Sequence, residues 1–147
     1  MKFAVGADHG GVDLKDELVG WLRSAGHQVT DVGTDSHESC DYPDFAAAVA
    51  GKVSAGEAEL GLLVCGTGQG LAMTANRVPG VRAAVVSDTF SARMSREHND
   101  ANVLCLGARV VGPGLARDIV DSWLGARFEG GRHARRVGKI ESSTAQD

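Results

Sequence analysis

Short apolar segments alternate with amphipathic segments along the 147 residues of this chain. The segments with the length and composition of strands are 2–7, 27–33, 60–65, 81–87 and 103–108. Between them, apolar residues recur at helical spacing, as Leu14, Leu18 and Leu22 do after the first strand. Strands that alternate with helices in this way predict a parallel sheet covered by helices on both faces.

Glycine and proline mark the ends of the predicted helices. Gly26 closes the first helix as a C-cap does, and Pro113 begins the last covering helix, PGLARDIVDSWLG. The tail, from about 126 to 147, becomes basic and then polar, and we expect its last few residues to be disordered. We predict one domain over residues 1–147, of the α/β class: a Rossmann-like three-layer α/β/α sandwich on a five-stranded parallel sheet.

Composition narrows the class of protein. A hydrophobic fraction of 43% and a charged fraction of 23% are typical of soluble globular proteins, and the net charge of −4 gives no general attraction to nucleic acid or to an anionic membrane. Asp8 and His9 come too early for a secretory signal, so we expect a cytoplasmic protein. Cys40, Cys65 and Cys105 lack CxxC spacing and predict free thiols rather than a disulfide framework or a zinc site.

The stretch VCGTGQG (64–70) is the most informative motif. It follows the third strand, and ligands of open parallel sheets bind beyond the carboxyl ends of the strands. Its alternating glycines and the helix that follows predict an anion-binding turn. Leu71 stands where a cysteine phosphatase has arginine and where a dinucleotide fingerprint has its third glycine, although Asp88 is spaced as a ribose-binding acid. Cys65 itself is either an activated thiol or a packed one.

Histidines and arginines supply further candidates. His9 follows the first strand, whereas His98 and Asn99 directly precede the fifth, which leaves their place at the ligand-binding edge less secure. Arg132 and Arg136 are four residues apart, so on a helix they share one face and can grip one phosphate. Metal binding through Asp8, His9, His98 and Asp100 is disfavoured because no HxH or HExxH spacing occurs.

The motifs together resemble a known family. The segments that carry the resemblance are GADHGG (6–11), DVGT (31–34), DYPDFA (41–46), CGTGQG (65–70), ANRVPGVRAA (75–84), SREHNDANVLCLGARVVG (95–112) and EGGRHARRV (129–137). They are similar to ribose-5-phosphate isomerases of the B type, a family that also includes allose-6-phosphate isomerase and the galactose-6-phosphate isomerase subunits. The resemblance runs from the first strand to about Val137.

The resemblance implies an aldose–ketose isomerase that interconverts ribose 5-phosphate and ribulose 5-phosphate in the pentose phosphate pathway, without a cofactor or metal. It makes Cys65 the base that moves a proton between C1 and C2, and His98 the group that assists ring opening. Asp8 then holds sugar hydroxyls, and Asn99 contacts substrate. The implied ligands of the enediolate oxygen are the backbone amides of Gly66, Thr67, Gly68, Gln69 and Gly70, with Thr67 also counted as catalytic. The implied phosphate ligands are His9, Arg109, Arg132 and Arg136.

The same resemblance implies a homodimer, or a dimer of dimers, with composite active sites. Arg132 and Arg136 are expected from the partner subunit, which the tail at 126–147 reaches. Family members that lack the cysteine use a glutamate just after the loop, so Cys65 with Leu71 indicates the cysteine-dependent kind. A thiolate beside an amide-lined loop suits the reaction, because proton abstraction from carbon needs a base and a place for negative charge.

Two alternatives remain open. In the first alternative, the main substrate is a six-carbon sugar phosphate or an unphosphorylated rare sugar, since the same proton transfer serves all of these sugars. In the second, the chain is a non-catalytic sugar-phosphate sensor. The presence of both Cys65 and His98 counts against a sensor, which needs neither a base nor a ring-opening acid.

Overall fold

Five parallel strands form the centre of the molecule. A computed structural model describes residues 1–143, so the expectation for the last residues of the tail falls outside the described part. The strands are β1 (Lys2–Ala7), β2 (Gln28–Asp31), β3 (Leu60–Cys65), β4 (Ala83–Val85) and β5 (Val103–Gly107). They pair in the order β2-β1-β3-β5-β4, each pair parallel. The α/β class and the Rossmann-like sandwich on a five-stranded sheet are confirmed.

Within residues 1–143, six helices accompany the sheet: α1 (Val12–Ser24), α2 (Tyr42–Ser54), α3 (Gln69–Ala75), α4 (Thr89–Glu97), α5 (Pro113–Gly125) and α6 (Arg132–Ser143). Buried residues of α1, α4 and α5 share one core cluster with alternate residues of β1, β3 and β5. Buried residues of α2 and α3 form the second cluster on the opposite face. The sheet is therefore covered on both faces, as the alternation of strands and helices predicts.

The two outermost strands are shorter than the sequence predicts. Strand β2 covers four residues of the expected 27–33, and β4 covers three of the expected 81–87. Each has a neighbour on one side only, so fewer ladder hydrogen bonds define its ends. The first helix ends as expected: Ala25 is the C-cap, and Gly26 follows with a φ of +91°, a left-handed conformation that glycine adopts without strain.

The last helix, α6, packs on the chain at the amino ends of the strands. Its buried side chains are His133 and Val137. Near its end, Glu141 accepts a hydrogen bond from Arg82 Nη1 at 2.6 Å, just before β4. Within residues 1–143, no helix is both long enough and apolar enough to cross a membrane.

Candidate active site

The loops that follow β1, β3 and β5 meet at the carboxyl edge of the sheet. The Ala108 N–H donates to the Cys65 carbonyl at 2.7 Å, and the Arg109 N–H donates to the Gly66 carbonyl at 3.1 Å. These bonds join the segment after β5 to the glycine loop. The Arg109 side chain passes over Gly66, where an added Cβ would lie 3.5 Å from its Cδ. The structure thus brings the glycine loop and Arg109 together, as the rule for the carboxyl ends of parallel strands predicts.

Cys65 is the last residue of β3, and its thiol is buried. Its Sγ accepts a hydrogen bond from the Gly68 N–H at 3.0 Å, across a turn in which Gly68 has a φ of +82°. This N–H donor fixes the position of the sulfur within the turn. Cys105 lies nearby in the same core, where burial, with Cys65 adding a smaller effect, raises the pKa of its thiol far above the usual range. Cys105 is therefore a packing residue of the core.

Asp8 lies beside the glycine loop, immediately after β1. Its side chain is buried, and Oδ1 accepts a hydrogen bond from the Gly10 N–H at 2.9 Å. An added Cβ on Gly10 would lie 3.2 Å from the Gly66 nitrogen, so the two loops approach closely. This contact places the Asp8 carboxylate at the same edge as Cys65.

His9 has a neighbour that the sequence did not reveal. Its Nδ1 accepts a hydrogen bond from the Cys40 N–H at 3.2 Å, and the Cys40 sulfur lies 3.7 Å from the same nitrogen. Cys40 is a free thiol, as predicted, and it contacts the His9 ring. Because Nδ1 accepts, the neutral ring carries its proton on Nε2. Contact between residues 31 positions apart depends on how the loop at 32–41 folds back, which no local pattern encodes.

The glycine loop is tightly enclosed. An added Cβ on Gly107 would come within 2.8 Å of the Thr67 backbone, and one on Gly70 would collide with the Tyr42 ring. Inside the loop, Thr67 Oγ1 accepts the Gln69 N–H at 3.3 Å. Two open cavities flank this edge: one of about 320 Å³ is lined by His9 and Arg109 among others, and one of about 300 Å³ by Thr67 and Gln69 among others.

His98 and Asn99 lie at the opposite edge of the sheet. Helix α4 starts after β4 and returns to the amino ends of the strands, and His98 is its C-cap. Strand β3, which separates the two edges, has six residues, so the edges are roughly 17 Å apart. The implied placement of His98 and Asn99 beside Cys65 therefore does not hold within one chain. Sequence order already marked both residues as uncertain, because they precede β5 rather than follow a strand.

The neighbours of His98 come from the tail. Its ring stacks on that of His133, with centroids 4.2 Å apart and planes 8° from parallel. Glu129 Oε2 lies 3.4 Å from His133 Nε2 and 4.0 Å from His98 Nε2. Burial lowers the pKa of His133, with smaller contributions from His98 and Arg132, and Glu129 opposes them. Sequence reasoning singled out neither Glu129 nor His133, although both belong to the basic segment EGGRHARRV.

Arg132 and Arg136 belong to this same group at the amino edge. Both lie on α6, four residues apart and exposed, so the shared face expected from their spacing is confirmed. Among the described residues, neither forms an ion pair that would neutralise its charge. The pair is therefore available to an anion.

Two further acidic candidates, Asp88 and Asp100, form structural contacts. Asp88 caps α4 by accepting the Ser91 N–H at 2.7 Å, and this hydrogen bond lowers the pKa of its carboxyl. Asp100 pairs with Arg82 at 3.3 Å and with Arg96 at 3.6 Å at the amino edge. A metal site shared by Asp8, His9, His98 and Asp100 is excluded within one chain, because its members lie at opposite edges.

The chain is similar in sequence and in structure to known sugar-phosphate isomerases. The family model described as Ribose/Galactose Isomerase matches residues 3–140. The ribose-5-phosphate isomerase B of Escherichia coli is 52% identical over 139 residues, which cover 95% of this chain and 93% of that protein. The D-erythrulose-4-phosphate isomerase of Pectobacterium atrosepticum is 45% identical over 95% of this chain and 93% of its own length. The solved structure of Clostridium thermocellum ribose-5-phosphate isomerase B superposes with a TM-score of 0.98, at 55% identity and 99% coverage of both chains.

Proposed function

Because this chain belongs to the ribose/galactose isomerase family, we propose that it interconverts ribose 5-phosphate and ribulose 5-phosphate by moving a proton between C1 and C2. The chain is an isomerase by membership of that family, and its relatives named for this substrate cover nearly its full length. The observation that carries the proposed chemistry is the hydrogen bond from the Gly68 N–H to the buried Cys65 sulfur. This hydrogen bond gives the sulfur, the proposed base for proton removal from carbon, a fixed position beside an amide-lined loop.

Cys65 serves as the base. A thiolate at this position removes the proton from the carbon next to the carbonyl, and the electron pair moves onto the carbonyl oxygen to form the enediolate. The same thiol then returns the proton to the neighbouring carbon while the hydroxyl proton passes from O2 to O1, so the ketone forms at C2 and no net oxidation occurs. The Gly68 N–H holds the sulfur in place during both steps.

The glycine loop stabilises the enediolate. Two of its N–H groups already have acceptors: that of Gly68 donates to Cys65, and that of Gln69 donates to Thr67 Oγ1. We assign the oxygen to the remaining amides of the loop, those of Gly66, Thr67 and Gly70. Amides fixed by tight packing stabilise developing charge without reorganising.

His9 and Arg109 bind the phosphate at the same edge. With Nδ1 accepting the Cys40 N–H, the His9 ring directs its Nε2–H outward as a donor. The exposed guanidinium of Arg109 supplies charge-assisted donors beside it. The adjoining cavity of about 320 Å³, which both residues line, gives the phosphate end of the sugar room to enter.

The other half of the site comes from a second copy of the chain. His98, Asn99, Arg132 and Arg136 form one group about 17 Å from Cys65, too far for one sugar phosphate to touch both groups in a single chain. A homodimer that sets the amino edge of one copy against the carboxyl edge of the other completes two sites. His98 then opens the sugar ring, and the two arginines close on the phosphate.

Proton NMR in deuterated water with a chelator tests the activity. We expect ribose 5-phosphate to convert to ribulose 5-phosphate, with deuterium entering C1 of the ribulose 5-phosphate and C2 of the ribose 5-phosphate that the reverse reaction forms. The same assay with allose 6-phosphate, galactose 6-phosphate and erythrulose 4-phosphate ranks the substrates, because relatives in the family are named for sugar phosphates of different length. A folded protein that binds these sugars and neither converts nor exchanges them is a sensor, which would refute the proposal.

A further inference from the structure

Three side chains at the amino edge bring metal-ligating atoms together. They are His98 Nε2, Glu129 Oε2 and His133 Nε2, and all three lie within 4.8 Å of one another. Each comes from a different segment: the end of α4, the loop between α5 and α6, and the first turn of α6. The cluster is thus built by the tertiary fold rather than by one helix face.

An independent observation points to a ligand. His133 is 5% exposed, and its Nε2 has no hydrogen-bond partner among the described residues. A buried polar atom without a partner is costly, so most such atoms in proteins are satisfied by protein, water or a bound ion. This nitrogen faces Glu129 Oε2, at 3.4 Å, and the stacked His98 ring.

We propose that His98, Glu129 and His133 form a reversible site for one divalent transition-metal ion, with Zn²⁺ the representative case. Two imidazoles and one carboxylate are a donor set that zinc accepts, with a fourth position open to water. Both rings ligate as neutral imidazoles through the Nε2 lone pair, so each carries its proton on Nδ1.

Binding requires one ring to turn. A metal lies in the plane of each imidazole that ligates it, whereas the two rings are now parallel at 4.2 Å. His98 is the mobile member, because it ends a helix and its side chain is 38% exposed, while His133 is fixed by burial. The nearby charges of Arg132 and Arg136 oppose a cation, so the site binds more weakly than a structural zinc centre.

Metal binding inhibits the enzyme, an effect that rests on the proposed function. A His98 ring whose Nε2 lone pair is held by a metal can neither give nor take a proton there during ring opening. The ion also occupies the position next to the arginines where the sugar phosphate enters.

Cobalt titration of the whole chain tests the site without reference to activity. We expect one Co²⁺ per chain, with visible bands of a nitrogen and oxygen site, no thiolate charge-transfer band, and displacement by Zn²⁺. Glu129→Gln should weaken binding at least about tenfold, the cost of losing even an outer-sphere partner of a metal. His133→Ala should do the same, and His37→Gln, which changes an exposed histidine paired with Asp13, should leave the affinity unchanged.

Three results would overturn the site: no Co²⁺ binding at millimolar concentration, a dominant thiolate band, or equal affinity in wild type and Glu129→Gln. The last comparison stands even if His133→Ala does not fold. Inhibition is measured separately, each variant against its own metal-free rate, and we expect Glu129→Gln to need at least about tenfold more Zn²⁺ than wild type. Equal inhibition would show that Zn²⁺ acts elsewhere, whereas a wild-type chain without isomerase activity would refute the proposed function and leave the cobalt result standing.

Discussion

At the scale of single residues, the proposed mechanism depends on the Cys65 sulfur. Cys65→Ala removes the base while leaving the glycine loop and the phosphate ligands in place. We expect kcat to fall by about 10²- to 10⁴-fold, the usual contribution of a general base. Steady-state kinetics measure the loss, and calorimetry should show that ribose 5-phosphate still binds.

Cys105→Ala is the matched control. This thiol is fully buried, and burial raises its pKa beyond any catalytic use. We expect its replacement to cost about 1 kcal/mol of stability and to leave kcat near wild type. Turnover that survives in Cys65→Ala, or disappears in Cys105→Ala, would contradict the assignment of the base.

In the proposed mechanism, Arg136 acts on binding rather than on chemistry. A charge-assisted hydrogen bond to phosphate contributes about 1.5–3 kcal/mol, so Arg136→Ala should raise KM for a phosphorylated sugar by about 10- to 150-fold. Arg135 is its neighbour on α6 but points in another direction, so Arg135→Ala is the control and should keep the wild-type KM. Initial rates over a range of ribose 5-phosphate measure both variants, and equal KM values would argue against the phosphate role.

Residues of the candidate site could be predicted from the sequence where their position depends on the order of strands and loops along the chain. Asp8, His9 and Arg109 follow strands and Cys65 ends one, and the rule for parallel sheets places all four at the same edge. Cys40, Glu129 and His133 escaped prediction. The contact of Cys40 with His9, and those of Glu129 and His133 with His98, join segments far apart in sequence.

At the scale of elements, the close approach of the β5 backbone shapes the glycine loop. Gly107→Ala should push the Thr67 backbone away from β5, since the new Cβ would lie only 2.8 Å from it. We expect the free energy of unfolding to fall by about 1–3 kcal/mol, which is typical of overpacking, and kcat to fall as well. Gly20→Ala, in an exposed stretch of α1 with open space around it, should instead stabilise the protein by about 1 kcal/mol. Urea unfolding distinguishes the two, and equal stabilities would contradict this packing.

Lys15 ties α1 to β2 and makes stability depend on alkaline pH. Its buried ammonium lies 2.8 Å from Asp31 and 2.8 Å from Asp16. Burial lowers the pKa of Lys15, but the hydrogen bonds to Asp16 and Asp31 outweigh it, so the pKa is raised above its usual 10.5. A raised lysine pKa stabilises the fold below the unfolded value and loses that effect as pH rises through the folded value.

Lys15→Met tests this linkage. We expect it to cost about 1–3 kcal/mol at neutral pH, since it leaves Asp31 without its partner. The difference from wild type should shrink above pH 10.5. Urea unfolding across this range measures it, and a difference that grows with pH would contradict the raised pKa.

Element order follows from the sequence, whereas element length does so only in part. The alternation of apolar and amphipathic segments gives every strand of the sheet its place in the chain. The outer strands β2 and β4 end early because one of their sides is unpaired, a property of strand order that hydropathy does not contain.

At the scale of the whole molecule, the fold divides the site residues between two edges. The carboxyl edge holds Cys65, Asp8, His9 and Arg109, and the amino edge holds the group around His98. In a parallel sheet, the residues that follow each strand lie at the carboxyl edge. A connecting helix runs back to the start of the next strand, so its last residues lie at the amino edge. Under the proposed mechanism, a second copy of the chain is needed to bring the base and the ring-opening acid to one sugar.

Mixing two inactive variants tests this arrangement most directly. Cys65→Ala and His98→Ala each inactivate every site in their own homodimers. In a mixed dimer with composite sites, one site carries both substitutions and the other carries neither, so random mixing should restore about a quarter of the wild-type isomerase rate. Native mass spectrometry confirms that mixed dimers form. A rate no higher than the sum of the separate variants, with mixed dimers present, would show that each site lies within one chain.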